Sequence, residues 1–122
     1  MNLHRIIRAL GSAIALTSFA AHAAYPEKPI RIVVTFAAGG ASDIVARTIA
    51  EPLAKSLGQP VIVDNKPGAG GTLGGLDVVR SPADGYTIML SDSTPLSIGP
   101  FIVPKQPYDP VKQFMHWAML AV

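Results

Sequence analysis

Two kinds of hydrophobic pattern alternate along most of the chain. Residues 30–36 are nearly all apolar and rich in β-branched side chains, and shorter runs of this kind cover residues 61–63 and 86–90. Such runs predict strands buried on both faces, as in a parallel sheet. Over residues 42–57, apolar residues recur every three or four positions, which predicts an amphipathic helix. A second helix is expected over residues 73–80, although two glycines weaken it.

The order of these elements predicts the fold class. Strand, small-residue turn and helix occur twice and a third strand follows, which is a βαβαβ unit of the α/β class with a parallel sheet. Right-handed crossovers bring the turns after the strands to the carboxyl edge, where ligands bind in open sheets. Pro52 should bend the first helix, because it cannot donate to the carbonyl of Thr48, and Gly58 should end it. Residues 101–110 are rich in proline and predict an irregular connection.

Residues 1–23 have the order of a secretory signal peptide. A short head with two arginines precedes an apolar run over residues 9–20, and residues 21–23 are Ala-His-Ala. Small residues of this kind precede a cleavage site, and the run is shorter than the about 20 residues that span a bilayer. We therefore expect cleavage after Ala23 and export to the periplasm as a soluble chain of residues 24–122. An uncleaved N-terminal anchor is the alternative.

Composition argues against several classes of function. Ten Lys and Arg exceed eight Asp and Glu by two, and two arginines lie in the expected signal peptide, so the mature chain has no basic surplus for nucleic acid. The chain has no cysteine, and His116 is the one histidine after residue 23. Neither a thiol nucleophile nor a histidine-rich metal site is therefore available. We expect no enzyme activity, cofactor or metal; a secreted hydrolase with a Ser–Lys pair is the enzymatic alternative.

Small and polar residues follow each predicted strand, in a first turn at residues 37–43, a second at 68–72 and a third at 91–95. Glycines allow backbone N–H groups to approach a ligand, and a helix N-terminus behind them adds free donors and a partial positive charge. Together they form an anion site without a basic side chain. In a purely structural interpretation the glycines only make tight turns, and Ser42 or Asp43 only caps a helix. Three such turns at one edge favour a binding site, whose candidate ligand-binding residues are Phe36, Gly39, Gly40, Ser42, Asp43, Gly68, Ala69, Gly70, Gly71, Asp92, Ser93 and Thr94.

Two common nucleotide-binding motifs are incomplete in this chain. The second turn contains Gly68-x-Gly70, but Leu73 stands where the third glycine of G-x-G-x-x-G is needed. No glycine-rich turn ends in Gly-Lys followed by Ser or Thr, so the P-loop motif is missing. Export to the periplasm also argues against a nucleotide cofactor.

Six short blocks carry a resemblance to a known family. They are Tyr-Pro-x-Lys-Pro-Ile at 25–30, Gly-Gly-x-Ser-Asp-Ile-Val-Ala-Arg at 39–47, Leu-Gly-Gln-Pro-Val at 57–61, Asn-x-Pro-Gly-Ala-Gly-Gly at 65–71, Asp-Gly-Tyr-Thr at 84–87 and Pro-Tyr-Asp-Pro-Val-Lys-x-Phe at 107–114. In this order and spacing, the blocks together resemble the substrate-binding receptors of tripartite tricarboxylate transporters, the Bug-type receptors.

The resemblance implies a periplasmic receptor whose two lobes close on a ligand, the Venus-flytrap arrangement. Such receptors bind small organic carboxylates, and some deliver them to membrane permease subunits. The first turn would hold a ligand carboxylate, partly through water, while the second would line the cleft and the third would contribute polar side chains. Asp92 departs from the family's usually uncharged third turn. Its carboxylate lowers the affinity for an anion unless it points away or meets an ammonium group.

The family chain continues beyond the length of this one. Residues 24–122 correspond to the N-terminal part of the first lobe, and we expect the second lobe to be absent. Binding by this chain alone should then be weak, because half of the cleft would be missing. The alternative to a receptor is a truncated, non-functional remnant of one.

Overall fold

Three parallel strands form the sheet in the computed structural model, which describes residues 25–118. Strand β1 is Ile30–Val34, β2 is Val61–Asn65 and β3 is Thr87–Leu90. β1 lies in the centre, with β2 on one side and β3 on the other. The predicted α/β class and parallel sheet are confirmed. The expected signal peptide and its cleavage site lie outside the described residues, as do residues 119–122.

Two helices connect the strands. Helix α1, Ala41–Leu57, joins β1 to β2, and helix α2, Thr72–Arg80, joins β2 to β3. Each begins one residue before its predicted start and ends where predicted. α1 continues through Pro52. It ends at Gly58, which has a left-handed backbone with φ of 67° and donates its N–H to the Ala54 carbonyl at 2.9 Å.

The chain after β3 is more regular than predicted. A π-helical turn at Thr94–Ile98 covers the end of the predicted polar turn, and a short helix α3 at Gly99–Ile102 covers the start of the expected irregular connection. Pro95 and Pro100 lie in the first turns of these two elements, where a missing N–H breaks no helical hydrogen bond. Proline therefore starts helical turns here, whereas the sequence pattern was typical of a loop. Residues 103–110 are irregular, as expected.

The apolar core lies between α1 and one face of the sheet. Ile32 and Val34 share that face of β1, because side chains alternate along a strand. Both are buried against Ala46 of α1, and the partly buried residues around them are Ile49, Val61, Val63 and Leu90. This packing fixes the start of α1, and with it the first turn, beside the carboxyl end of β1.

Helix α2 packs against the opposite face of β1. Arg31 lies on that face and its guanidinium contacts the Asp77 carboxylate of α2 at 2.7 Å. A Cβ on Gly74 would lie 2.9 Å from Cγ2 of the buried Thr35. Glycine weakens a helix, but here it permits an approach that a side chain would prevent. The second turn, which directly precedes α2, is thereby held close to β1.

Side chains close the amino end of the sheet. The Tyr25 hydroxyl donates to the Gly85 carbonyl at 2.7 Å, and the Tyr25 and Tyr86 ring centroids are 4.9 Å apart. Lys28 Nζ contacts the Asp84 carboxylate at 2.8 Å and lies 4.3 Å from the centroid of the Tyr86 ring. Tyr25, Lys28 and Asp84 therefore have polar partners at this end of the sheet.

Candidate functional site at the carboxyl edge of the sheet

The three turns that follow the strands meet at the carboxyl edge. The hydroxyl oxygens of Thr35 and Ser91 are 2.7 Å apart and join the first turn to the third. A Cβ on Gly71 would lie 3.1 Å from Cγ of Pro95, so the second turn packs against the third. The structure therefore brings together the three turns that contain the predicted site residues.

Asp43 faces inward, into the first turn. It is 3% exposed, and one carboxylate oxygen accepts the Gly39 N–H at 2.8 Å. Arg47 Nε donates to both carboxylate oxygens at 3.0 Å. The hydrogen bond from Arg47 and then that from Gly39 lower the pKa of Asp43 from 3.8 to about 2. Gly39 has φ of 84°, the left-handed region that favours glycine, so the carboxylate holds a turn that glycine makes possible.

Two further residues complete this arrangement, and the sequence analysis did not select them. Arg47 Nη2 donates to Asn65 Oδ1 at 3.2 Å, and Asn65 Nδ2 donates to the Phe36 carbonyl at 3.1 Å. Asp43, Arg47 and Asn65, here called the first-turn clamp, thus join both ends of the first turn to the end of β2. The spacing of Asp43 and Arg47, four residues apart on a helix, is the sequence signal that could have revealed their pairing.

The N-terminus of α1 is open. Its N-cap residue is Gly40, which makes no side-chain capping bond. The first backbone N–H groups of a helix have no acceptor within the helix, and they carry the positive end of its dipole. Neither Ser42 nor Asp43 is the N-cap, because both lie inside the helix, which begins at Ala41. The Asp43 carboxylate binds Gly39 and Arg47. This terminus can therefore bind an anion.

The second turn is a run of residues with positive φ. Ala69, Gly70 and Gly71 have φ of 47°, 61° and 87°, and Gly68 has φ of 134°. Three of these four positions are glycine, which adopts positive φ without a steric penalty. Thr72 follows at the start of α2 and is 4% exposed; its hydroxyl has no hydrogen-bond partner within residues 25–118.

The third turn is supported from behind by the chain after α3. Gln106 Nε2 and the Tyr108 hydroxyl both donate to the Pro95 carbonyl, at 2.7 Å and 3.2 Å. A Cβ on Gly75 would lie 2.7 Å from Cζ of the buried Tyr108, so this tyrosine contacts α2 as well. Asp92 Oδ1 accepts the Thr94 N–H at 2.8 Å at the front of the turn. Tyr108 and Gln106 thus fix the position of the third turn without reaching its exposed side.

A groove of about 1070 Å³ lies between α1, β3 and residues 113–118, and residues 91–93 at this edge form part of its lining. Among the predicted site residues, those that line it are Ser42, Asp92 and Ser93. Gly39, Gly40 and the second turn lie at the edge but outside the groove. Most of the lining is apolar, and Asp92 is its one Asp, Glu, Lys or Arg within residues 25–118.

Two other kinds of feature are absent from the part of the chain that the structure describes. Residues 25–118 contain no group of three side chains arranged to hold a metal ion. They also include no helix of the length and apolarity needed to cross a membrane.

Comparisons with known proteins identify the family. Residues 45–122 match the family described as the tripartite tricarboxylate transporter family receptor. The chain belongs to this family. It is 40% identical to Protein BugT of Bordetella pertussis over 98% of its own length, which is 38% of BugT. The resemblance carried by the six sequence blocks is therefore confirmed.

Solved structures of similar proteins share the fold. MatC from Rhodopseudomonas palustris, solved with bound malate, is 39% identical with a TM-score of 0.70, and the match covers 74% of this chain and 31% of MatC. A second R. palustris protein, solved with adipate, is 32% identical with a TM-score of 0.69, over 72% of this chain and 29% of the other. The chain thus spans about a third of the length of these proteins.

Proposed function

We propose that this chain forms the carboxylate-binding part of a periplasmic solute receptor for a tripartite tricarboxylate transporter, with membrane permease subunits as partners. The observation that carries the proposal is the open N-terminus of α1 at an edge where three turns meet. Membership of the receptor family supports it, as do the relatives solved with malate and adipate. The role is binding, and it needs no catalytic group, cofactor or nucleic acid.

The proposed binding uses backbone donors. An anion is attracted to unpaired N–H groups at a helix N-terminus without any basic side chain, and no Lys or Arg of residues 25–118 lines the groove. Ser42 adds a hydroxyl on the same side. Asp43 supports the ligand indirectly in this proposal, because its carboxylate is already bound to Gly39 and Arg47.

A pair of substitutions at Gly40 tests the proposal. Gly40 has φ of −78° and ψ of 170°, the extended backbone usual for an N-cap, and a Cβ there would meet only the Ala37 carbonyl, at 3.4 Å. Gly40→Asp should cap α1 with its own carboxylate, which stabilises the helix but occupies the N–H groups and repels an anion. Gly40→Ala leaves those groups free and serves as the matched control.

The measurement is thermal unfolding with succinate, malate and adipate, and with dimethyl succinate as an uncharged control. Binding to the folded state raises stability by about 2.7 kcal/mol at a ligand concentration of 100 times the Kd. We expect the acids to raise the melting temperature of the wild type and of Gly40→Ala, but not that of Gly40→Asp. The diester should raise none of the three. An acid shift that survives in Gly40→Asp would place the site elsewhere, and no shift with any acid would contradict carboxylate binding.

The proposed location is the periplasm. The charged head, the apolar run and Ala-His-Ala at residues 21–23 support export and cleavage. The intact mass of protein recovered from the periplasm should correspond to a chain that begins at Ala24. A mass that retains residues 1–23 would contradict cleavage at this site.

A further inference from the structure

The groove between α1 and β3 is a long apolar depression in the surface. Val45, Ile49 and Leu53 line it along α1, at intervals of four residues that place them on one face of the helix. Trp117 lines it too and is 65% exposed. β3 is an edge strand, with β1 as its one strand partner within residues 25–118. Exposed apolar surface of this kind marks a place where a further segment docks.

The described part of the chain begins beside this groove. The Tyr25 hydroxyl donates to the Gly85 carbonyl at 2.7 Å, and Gly85 lines the groove near the amino end of the sheet. The apolar run of residues 9–20 precedes Tyr25 in the sequence and lies outside the described residues. The connection from residue 20 to Tyr25 spans at most about 18 Å. The run is therefore tethered close to one end of the groove.

The apolar run and the groove match in length. The α1 residues that line the groove extend from Ala41 to Leu53, a distance of about 18 Å along the helix axis. Residues 9–20 would also span about 18 Å as an α-helix. A cylinder of this length and 10 Å in diameter occupies about 1400 Å³. A groove of about 1070 Å³ can therefore take most of such a helix.

The two also match in charge at the far end of the groove. Asp92 follows β3 at the carboxyl edge, and it is the one Asp, Glu, Lys or Arg of residues 25–118 that lines the groove. Its Oδ1 accepts the Thr94 N–H, which leaves Oδ2 for another donor. A helix that starts from the Gly85 end and follows α1 brings its other end to Asp92. That end carries Arg8, directly before the apolar run, and an arginine pairs well with a carboxylate.

We propose that, in the uncleaved chain, residues 9–20 lie as a helix in this groove with Arg8 beside Asp92. Cleavage after Ala23 removes this cover and opens the groove. Folding of the uncleaved chain thereby hides the apolar run of its own export signal, so that folding and recognition of the signal compete. The inference does not depend on carboxylate binding.

The fluorescence of Trp117 tests the docking, because this residue is the one tryptophan of the chain and lines the groove. The full chain of residues 1–122 should emit at shorter wavelength than its variant Ile14→Asp. The docked run shields the indole from water, whereas a charge within the run resists burial. Ile14 lies outside the described residues, so its substitution removes none of their contacts. Asn2→Asp adds the same charge before the run; it is the matched control and should emit like the full chain.

The urea unfolding midpoint of the full chain tests the orientation. Arg8→Gln and Asp92→Asn should each lower the midpoint. The double variant should lose no more than the larger single loss, since the two side chains form one pair. Arg80→Gln is the matched control, because Arg80 is exposed at the end of α2 and does not line the groove. Its effect should add to that of Asp92→Asn.

Three outcomes would overturn the proposal. The first is an equal emission maximum in the full chain and in Ile14→Asp, measured on chains that both unfold cooperatively. The second is an emission difference that disappears on dilution as a dimer dissociates, because the run would then lie in the groove of a second copy. The third is additive losses for Arg8→Gln and Asp92→Asn, which would refute the contact that orients the helix.

Discussion

The two ends of the sheet are built in opposite ways. At the amino end, Tyr25, Lys28 and Asp84 have partners within the same cluster. At the carboxyl end, α1 has no side-chain cap and the buried Thr72 hydroxyl has no partner among residues 25–118. Buried polar groups are normally paired, so the unpaired groups at the carboxyl end support the binding site proposed there. The polar side chains at the amino end have their partners within the chain.

The ends also differ in where they need glycine. The first and second turns, at the carboxyl end, contain four positive-φ glycines, whereas Gly58 and Gly85 are the two near the amino end within the described residues; the four are Gly39, Gly68, Gly70 and Gly71. Positive φ and close approach both exclude side chains, so the carboxyl end should tolerate substitution far less. Substitutions at the two ends should reveal this difference in stability.

The largest effect is expected for Gly74→Ala. The new Cβ would lie 2.9 Å from Thr35 Cγ2 and 3.0 Å from the Lys66 carbonyl oxygen, and the buried backbone around it cannot move freely. Overpacking of this kind costs about 1–3 kcal/mol, which outweighs the gain of about 1 kcal/mol in helix propensity. Urea unfolding measures the change. Gly40→Ala, where the nearest atom is 3.4 Å away, is the control, and an equal loss in both would refute the packing argument.

Glycine also shows how much of the fold the sequence could predict. Hydrophobic periodicity located α1 and α2 to within one residue, because the core selects those positions. It could not predict that Gly74 and Gly75 strengthen the packing of a helix that they weaken intrinsically, since the contacts with Thr35 and Tyr108 come from distant segments. The helical turns after β3 were missed for another reason. Five and four residues are too few to show a period.

The meeting of the three turns at one edge was predictable from the sequence, but the contacts within them were not. Parallel topology places the turns at one edge, so the candidate set followed from the element order. The sequence could not show that Asp43 turns toward Gly39 and Arg47, or that Asn65 reaches the Phe36 carbonyl. It also could not show which glycine of the first turn has positive φ; that residue is Gly39, while Gly40 is extended.

The next largest effect is expected for Asp43→Asn, which breaks the first-turn clamp. Because folding lowers the pKa of Asp43 from 3.8 to about 2, the ionised form stabilises the fold above pH 3.8, and this contribution is lost as the pH falls toward 2. The variant should therefore melt below the wild type at pH 7, and the gap should narrow between pH 4 and pH 2.

Asp84→Asn is the matched change at the amino end. The hydrogen bonds from Lys28 and from the Tyr86 N–H lower the pKa of Asp84 as well. Its ionised form therefore also stabilises the folded state. We expect a smaller loss, because Asp84 is more exposed than Asp43. Only Asp43→Asn should also weaken carboxylate binding. A loss of affinity in Asp84→Asn would show that the two ends are not independent.

A smaller effect is expected when one hydroxyl is removed from each end. Tyr108→Phe deletes a donor to the Pro95 carbonyl at a site that is 6% exposed, which should cost about 1 kcal/mol. Tyr25→Phe deletes the bond to Gly85 at a residue that is 55% exposed, and water can replace that partner. Thermal unfolding of the two variants should give the larger loss for Tyr108→Phe. The reverse order would mean that the third turn does not depend on this hydroxyl.

The smallest effect is expected for Lys28→Gln, which removes the ion pair at the amino end. Exposed pairs contribute little to stability and are screened by salt, and the Lys28 side chain is 58% exposed. The hydrogen bond from Lys28 to Asp84 raises the pKa of Lys28, so its contribution is present at neutral pH and is lost only as the pH rises above 10.5. A slight fall in melting temperature at low salt should therefore disappear in about 1 M NaCl, where the screening length is about 3 Å. Lys55→Gln, which removes the exposed pair with Glu51 on α1, should behave in the same way and is the control.

Carboxylate affinity of Lys28→Gln should remain unchanged at both salt concentrations, because the pair of Lys28 and Asp84 lies at the end of the sheet opposite to the turns. If Lys28→Gln lowered that affinity, the amino end would contribute to binding, and the division of the sheet into a stabilising end and a binding end would be wrong.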